Sequence, residues 1–223
     1  MNAQFVRYPD VPPLVRRRET CRVSADHYFS ADPDAPLRRS EIEFSVAGKN
    51  HRLAVASGVF SAGRLDPGTA VLLRKAGLPD ASAEGTFLDL GCGYGPIARV
   101  LATEAPAATV WAVDVNSRAR ELTAENTKNL RVRVAAPDDV PADVEFQQIW
   151  SNPPTHVGKA ELHGLMERWL PRLAPDGVAW LVINRNLGGD SLHTWLTGLG
   201  WQVERVASQR GFRVLKVTRK SAD

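Results

Sequence analysis

Between Thr86 and Leu130 the chain twice repeats one pattern: a short apolar run, a polar turn, then apolar residues at helical spacing. "TFLDLG" leads through "CGYG" into "PIARVLATEA", and "TVWAVDVN" leads into "SRARELTAENTKNL". Strands joined through a helical crossover lie parallel, whereas strands joined by a tight turn lie antiparallel. Runs this uniformly apolar are those of strands covered on both faces. Pro96 suits a first helical turn, where its missing N–H costs nothing, and Ser117 is the expected N-cap of the second helix.

The pattern continues. "VRVAA" is a third strand and "FQQIWSN" a fourth. Leu162, Leu165, Met166, Trp169 and Leu170 of the following helix fall on one face, as a core-facing stripe does. "GVAWLVIN" is a fifth strand and "DSLHTWLTGLG" a short helix. "WQVERVAS" and "FRVLKVTR" are separated only by "QRG", too short for a crossover, so they must be antiparallel. The expected fold is α/β, with a seven-stranded, mostly parallel sheet, an antiparallel last strand and helices on both faces. Upstream, "EIEFSVAGKNHRLAVAS" alternates about a turn-like centre and reads as a hairpin. That divides the chain into an extension over 1–58 and a main domain over 59–223.

Composition sets limits on what such a fold does. The 223 residues are 43% hydrophobic and 24% charged, the profile of a soluble globular chain. No apolar run approaches the roughly 20 residues of a membrane span, and no secretory leader is visible at the N-terminus. Cys21 and Cys92 are too few for a disulfide scaffold or a zinc site, and a cytoplasmic protein is expected. The net charge of +3 is small. Arg16–Arg18 and the terminal "QRGFRVLKVTRK" are local basic concentrations, either solvated faces or phosphate contacts for a nucleic acid.

Three strand ends carry the chemistry. "LDLGCGYG" places Gly91, Gly93 and Gly95 at G-x-G-x-G spacing after Asp89. The dinucleotide spacing is G-x-G-x-x-G, with a helix N-terminus facing a pyrophosphate. An acidic residue beside the turn repels a pyrophosphate but suits a cationic amino group, which favours S-adenosylmethionine over NAD. Asp114 ends the second strand, where a carboxylate accepts from both ribose hydroxyls of an adenosine. "SNPPTH" then closes the fourth strand with two prolines that neither extend a central strand nor let Asn152 turn helical.

Together "FLDLGCGYGPIA", "VDVN" and "SNPPTH" resemble class I methyltransferases of the methyltransferase small domain group, with a Rossmann-like fold. Within it the sequence is most similar to the ribosomal RNA small-subunit methyltransferase C type, which makes N2-methylguanine. The likeness also takes in "HYFS" (His27–Ser30), "GVFSAGRLDPGT" (Gly58–Thr69) and "GFRVLK". It implies S-adenosylmethionine as cofactor, held around Phe60, Asp89, Gly91, Cys92, Gly93, Asp114, Val115 and Asp138, with Asn152 at its methyl end. It also implies RNA, small-subunit ribosomal RNA or the subunit itself, as partner. No metal is called for.

The resemblance gives the N-P-P kink a purpose. The side-chain oxygen of Asn152 and the carbonyl of Pro153 are two acceptors that Pro153 and Pro154 hold rigid, suited to orienting an exocyclic amine. Thr155 stands where relatives acting on adenine or glutamine often carry an aromatic residue, which weakens the adenine reading. His156 is a candidate for contact with substrate or a loop hydrogen-bonder, whereas Lys159 and His163, one turn apart on the next helix, read as a solvated face. Gln147 replaces an aspartate frequent in the fourth strand. Three alternatives stay open: a protein glutamine N5-methyltransferase, a non-catalytic RNA-binding assembly factor, and an NAD-dependent oxidoreductase, the last disfavoured by the glycine spacing.

Overall fold

Strands β1 (Arg39–Val46) and β2 (Lys49–Ala56) form an antiparallel hairpin closed by Ala47 and Gly48, both at positive φ. This is the first element of a computed structural model that describes residues 38–61, 63–154, 158–185 and 189–220. Arg16–Arg18, Cys21, "HYFS", Thr155 and His156 lie outside the described residues.

After the hairpin comes α1 (Pro67–Lys75), a helix absent from the sequence reading. Its start is chemically simple. The Asp66 carboxylate accepts from the Thr69 N–H at 2.8 Å, and Pro67 opens the first turn. The repeating units follow as β3 (Thr86–Leu90), α2 (Pro96–Glu104), β4 (Thr109–Val113), α3 (Ser117–Asn126), β5 (Val132–Ala135) and β6 (Phe146–Ser151). The chain ends with α4 (Lys159–Trp169), β7 (Leu173–Asn184), α5 (Gly189–Gly198), β8 (Gln202–Gln209) and β9 (Phe212–Thr218).

The large sheet has seven strands in the order β5-β4-β3-β6-β7-β9-β8. Neighbours from β5 to β7 pair parallel, and β9 lies antiparallel to both β7 and β8. The expected architecture is therefore the observed one. Successive side chains of the central strands alternate between two cores. Leu88, Trp111 and Ile149 meet α4 and α5 on one face, while Phe87, Val110 and Trp150 meet α1 and α2 on the other. α3 packs instead against the hairpin, through Ala119 and Leu122 with Leu53 and Val55.

Some local expectations shift. The N-cap of α3 is Asn116, not Ser117, because the Asn116 side chain accepts from the Ala119 N–H at 3.0 Å. β7 begins four residues earlier than the "GVAWLVIN" run, at Leu173, with an irregularity opposite Phe146–Gln148. Gln147 accepts from the Thr86 N–H at 2.6 Å, so an amide oxygen ties the start of β3 to β6. The hairpin is fastened to the main sheet's helices: Asn126 exchanges two hydrogen bonds with Ala54, and Lys49 pairs with Glu104.

A candidate methyl-transfer site at the strand ends

Reversal of strand order between β3, which is followed by β4 on one side, and β6 on the other opens a crevice at the carboxyl ends of the strands. Open α/β sheets bind their ligands at such a switch point. A cavity of about 440 Å³ lies there, within the size range of small-molecule sites.

The glycine turn forms one wall. Gly91 and Gly93 have φ +75° and +57°, and no atom lies within 4 Å of where a Cβ would stand on either. Such a turn brings main chain close to a ligand without side-chain obstruction. Its amides, however, are already engaged. Gly91 and Cys92 donate to the Val113 carbonyl, and Gly93 donates to the Asp114 carboxylate. At the start of α2 the Ala98 N–H is taken by Asp89. A pyrophosphate would meet the Asp114 carboxylate and few free donors here, so the turn is unsuited to the dinucleotide role.

Asp114 lies one residue beyond β4. Its Oδ2 accepts from Gly93 N–H and its Oδ1 from Asn116 N–H, both at 2.9 Å. Each oxygen keeps further lone-pair capacity, enough to accept from a ligand hydroxyl. Burial pushes its carboxyl above the usual range, against the opposing pull of these backbone donors. Arg120 donates to the carbonyls of Asp114 and Val115 and so fixes this segment.

Two exposed apolar side chains stand on the cavity wall. Phe60 is 41% and Val115 47% exposed, although both belong to the cavity lining. Cys92 lines the same wall, buried, with its sulfur 3.5 Å from Thr123 Oγ1. Burial raises its thiol well above the ordinary value, so it is not a nucleophile. Tyr94, unremarked in the sequence, also lines the cavity with a buried hydroxyl that has no partner among the described residues.

Two expected residues stand elsewhere. Asp89 is wholly buried inside β3, paired between Ala112 and Trp150, and is not on the wall. One oxygen holds α2 through Ala98 at 2.8 Å; the other has no partner among the described residues. Desolvation pushes its carboxyl up to about 8. Asp138 sits in a 3₁₀ turn after the edge strand β5, with a side chain 90% exposed and paired with Arg168. Pro137 and Arg168 line the cavity where Asp138 was expected.

Asn152, Pro153 and Pro154 form the opposite wall. Ser151, just before them, donates to the Leu90 carbonyl at 2.8 Å and ties the end of β6 to the end of β3. The Asn152 side-chain amide donates to Asp66 Oδ2 at 2.7 Å and to Thr69 Oγ1 at 3.0 Å. Both Asp66 and Thr69 line the cavity, and neither role is visible in the sequence. Among the described residues nothing donates to Asn152 Oδ1, which is left as an acceptor.

Three cations of the terminal basic stretch are engaged by the protein itself. Arg213 pairs with Asp190, Lys216 lies over the Trp180 ring, and Arg219 donates to the Leu173 and Pro171 carbonyls. His163 stacks on Trp195 with ring centroids 3.7 Å apart, so it joins α4 to α5 rather than standing on a solvated face.

Comparison with known proteins agrees with this geometry. A family model described as methyltransferase small domain matches residues 50–216. An uncharacterized protein, YbxB of Bacillus subtilis, is 32% identical over 86% of this chain and 98% of its own length. The ribosomal RNA small subunit methyltransferase C of Aeromonas hydrophila is 41% identical over 76% of this chain but only 49% of its own. Among solved structures, the T. thermophilus 16S rRNA N2 guanine methyltransferase in complex with AdoMet and guanosine superposes with a TM-score of 0.71 at 26% identity. That match covers 84% of this chain and 52% of the neighbour. The chain thus spans about half the length of the named ribosomal RNA methyltransferases it matches.

Proposed function

We propose, from the premise that this chain belongs to the methyltransferase small domain family, that it methylates an exocyclic amine of RNA, guanine N2 of small-subunit ribosomal RNA. It is a methyltransferase with S-adenosylmethionine as methyl donor. The observation that carries the amine assignment is the fixed Asn152 amide. Its two N–H groups are committed to Asp66 and Thr69, which leaves Oδ1 as an acceptor on the cavity wall beside Pro153.

The residues divide the work. Asp114 accepts from the ribose hydroxyls, Phe60 and Val115 supply apolar contact to the adenine, and Gly91 and Gly93 let the cofactor approach the main chain. When bound, S-adenosylmethionine supplies an electrophilic methyl: the nitrogen–carbon bond forms as the carbon–sulfur bond breaks, and the amine proton leaves to water. A guanine N2 lone pair is delocalised into its ring and is a poor nucleophile. Asn152 Oδ1 and the Pro153 carbonyl accept from its two hydrogens, orient it, and stabilise the positive charge that develops on nitrogen. No ionised base is needed at that stage.

The relatives named as ribosomal RNA methyltransferases support RNA over protein as substrate. The test is methyl transfer from labelled S-adenosylmethionine into total RNA and total protein, followed by nucleoside analysis. N2-methylguanosine is the expected product. Label confined to protein as N5-methylglutamine would replace RNA as the substrate.

A further inference from the structure

We propose that Asp66 polarises and positions Asn152, so that the site accepts only target atoms that carry hydrogen; this rests on the amine-methyltransferase reading above. Asp66 and Asn152 are 86 positions apart and meet on the cavity wall through a 2.7 Å hydrogen bond. A carboxylate is acceptor-only and therefore dictates which end of the amide faces it. With Thr69 Oγ1 taking a second hydrogen bond at 3.0 Å, both amide N–H groups are committed. The amide has no means of rotating to donate to a carbonyl oxygen or a ring nitrogen. Guanine O6 and N7 are acceptors and find no donor in Asn152; an exocyclic amine finds the acceptor it needs.

The charge adds to the orientation. A negative group beside the amide nitrogen favours the resonance form with negative charge on oxygen. Oδ1 thereby becomes a better acceptor as positive charge develops on the attacking nitrogen. The arrangement is preorganised, because the same Asp66 oxygen is pinned by the Thr69 N–H at the start of α1. Thr69 is itself 4% exposed, so this network is shielded from water on its far side. Asp66 touches no reacting atom and is a positioning residue.

Asp66→Asn separates charge from capping, since asparagine caps a helix as well as aspartate does and its Oδ1 can accept both hydrogen bonds. The first measurement is the NMR signature of the Asn152 side-chain amide, recorded without cofactor and assigned as the pair lost in Asn152→Asp. In the parent these protons exchange slowly; in Asp66→Asn and Thr69→Val they exchange faster and shift upfield. The second is single-turnover methyl transfer on whichever amine the parent methylates. Asp66→Asn lowers the rate about tenfold, the difference between a charge-assisted and a neutral hydrogen bond, with affinity for S-adenosylhomocysteine and melting temperature close to the parent's. In the Asn152→Ala background the same substitution costs nothing further. Unchanged amide resonances, or a rate loss that adds in full to that of Asn152→Ala, would overturn the proposal. A parent that methylates no amine refutes the functional reading instead, and the amide resonances still decide whether Asp66 holds Asn152.

Discussion

The Asp114 carboxylate at the end of β4 accepts from the Gly93 N–H at 2.9 Å, so the residue suited to a ribose also holds the glycine turn of the adjacent strand in shape. Binding and local architecture are joined in one side chain. Sequence reasoning separates them, because it places Asp114 at a strand end and the glycines at another, 21 positions away.

Asp114→Ala therefore has two effects. Loss of the ribose acceptors weakens S-adenosylmethionine binding by about tenfold or more, the size of charge-assisted hydrogen bonds. Loss of the acceptors for Gly93 and Asn116 also lowers stability, by about 1–3 kcal/mol. Calorimetric titration and thermal unfolding of the same preparation check both. An unchanged melting temperature would show that the turn keeps its shape without Asp114.

Phe60 tests the opposite relation. At 41% exposure it has less burial to lose than the core residues Phe87 and Phe146, at 1% and 0%. Phe60→Ala weakens cofactor binding by about tenfold through lost apolar contact while shifting stability by under about 0.5 kcal/mol, as exposed positions do. A core phenylalanine would cost about 3–5 kcal/mol. Denaturant unfolding beside ligand titration separates the two; a large stability loss with intact affinity would remove Phe60 from the site.

Asn152→Ala leaves cofactor affinity near the parent's and lowers methyl transfer by about 10²–10³, the effect of deleting one preorganised polar group. Pro153→Ala does less, because the carbonyl survives and only its rigidity is lost. Single-turnover rates with saturating cofactor measure this directly. Parental transfer by Asn152→Ala would reduce the N-P-P segment to a turn.

The succession of strands and helices, the antiparallel last strand and the three candidate strand ends were legible because each is a local pattern: an apolar run, a breaker, then helical spacing or a short turn. α1 was not, although its signals lie in "LDPGT", since a nine-residue helix makes little more than two turns of periodicity. The partnership of Asp66 with Asn152 had no local signature at all, as it exists only once α1 packs against β7 and β9 and its N-cap reaches the residue that follows β6. Asp89 and Asp114 show how fine the distinction is. Both follow the same apolar pattern, but Asp89 is the fourth residue of β3, flanked by β4 and β6, whereas Asp114 is one residue past β4. A single step along the strand separates a carboxylate that lines the cavity from one buried as an anchor for α2.

That burial makes Asp89 titrate where few carboxyls do. Its value rises from 3.8 unfolded to about 8 in the folded chain, through desolvation that the single Ala98 hydrogen bond does not offset. Between those two values the folded state binds more protons than the unfolded one, so stability falls as pH rises across the window. The contribution is complete below pH 3.8 and lost as pH climbs through about 8. Asp89→Asn imitates the protonated acid: its oxygen can still accept from Ala98, and its NH2 takes the place of the buried O–H. The variant should therefore gain on the parent as pH rises through this window, unfolding at a higher denaturant concentration than the parent by a small margin near pH 5 and by a larger one near pH 8, with a flatter pH profile between. Identical pH profiles for the two proteins would show that Asp89 is ionised in the folded state, with a partner for its second oxygen.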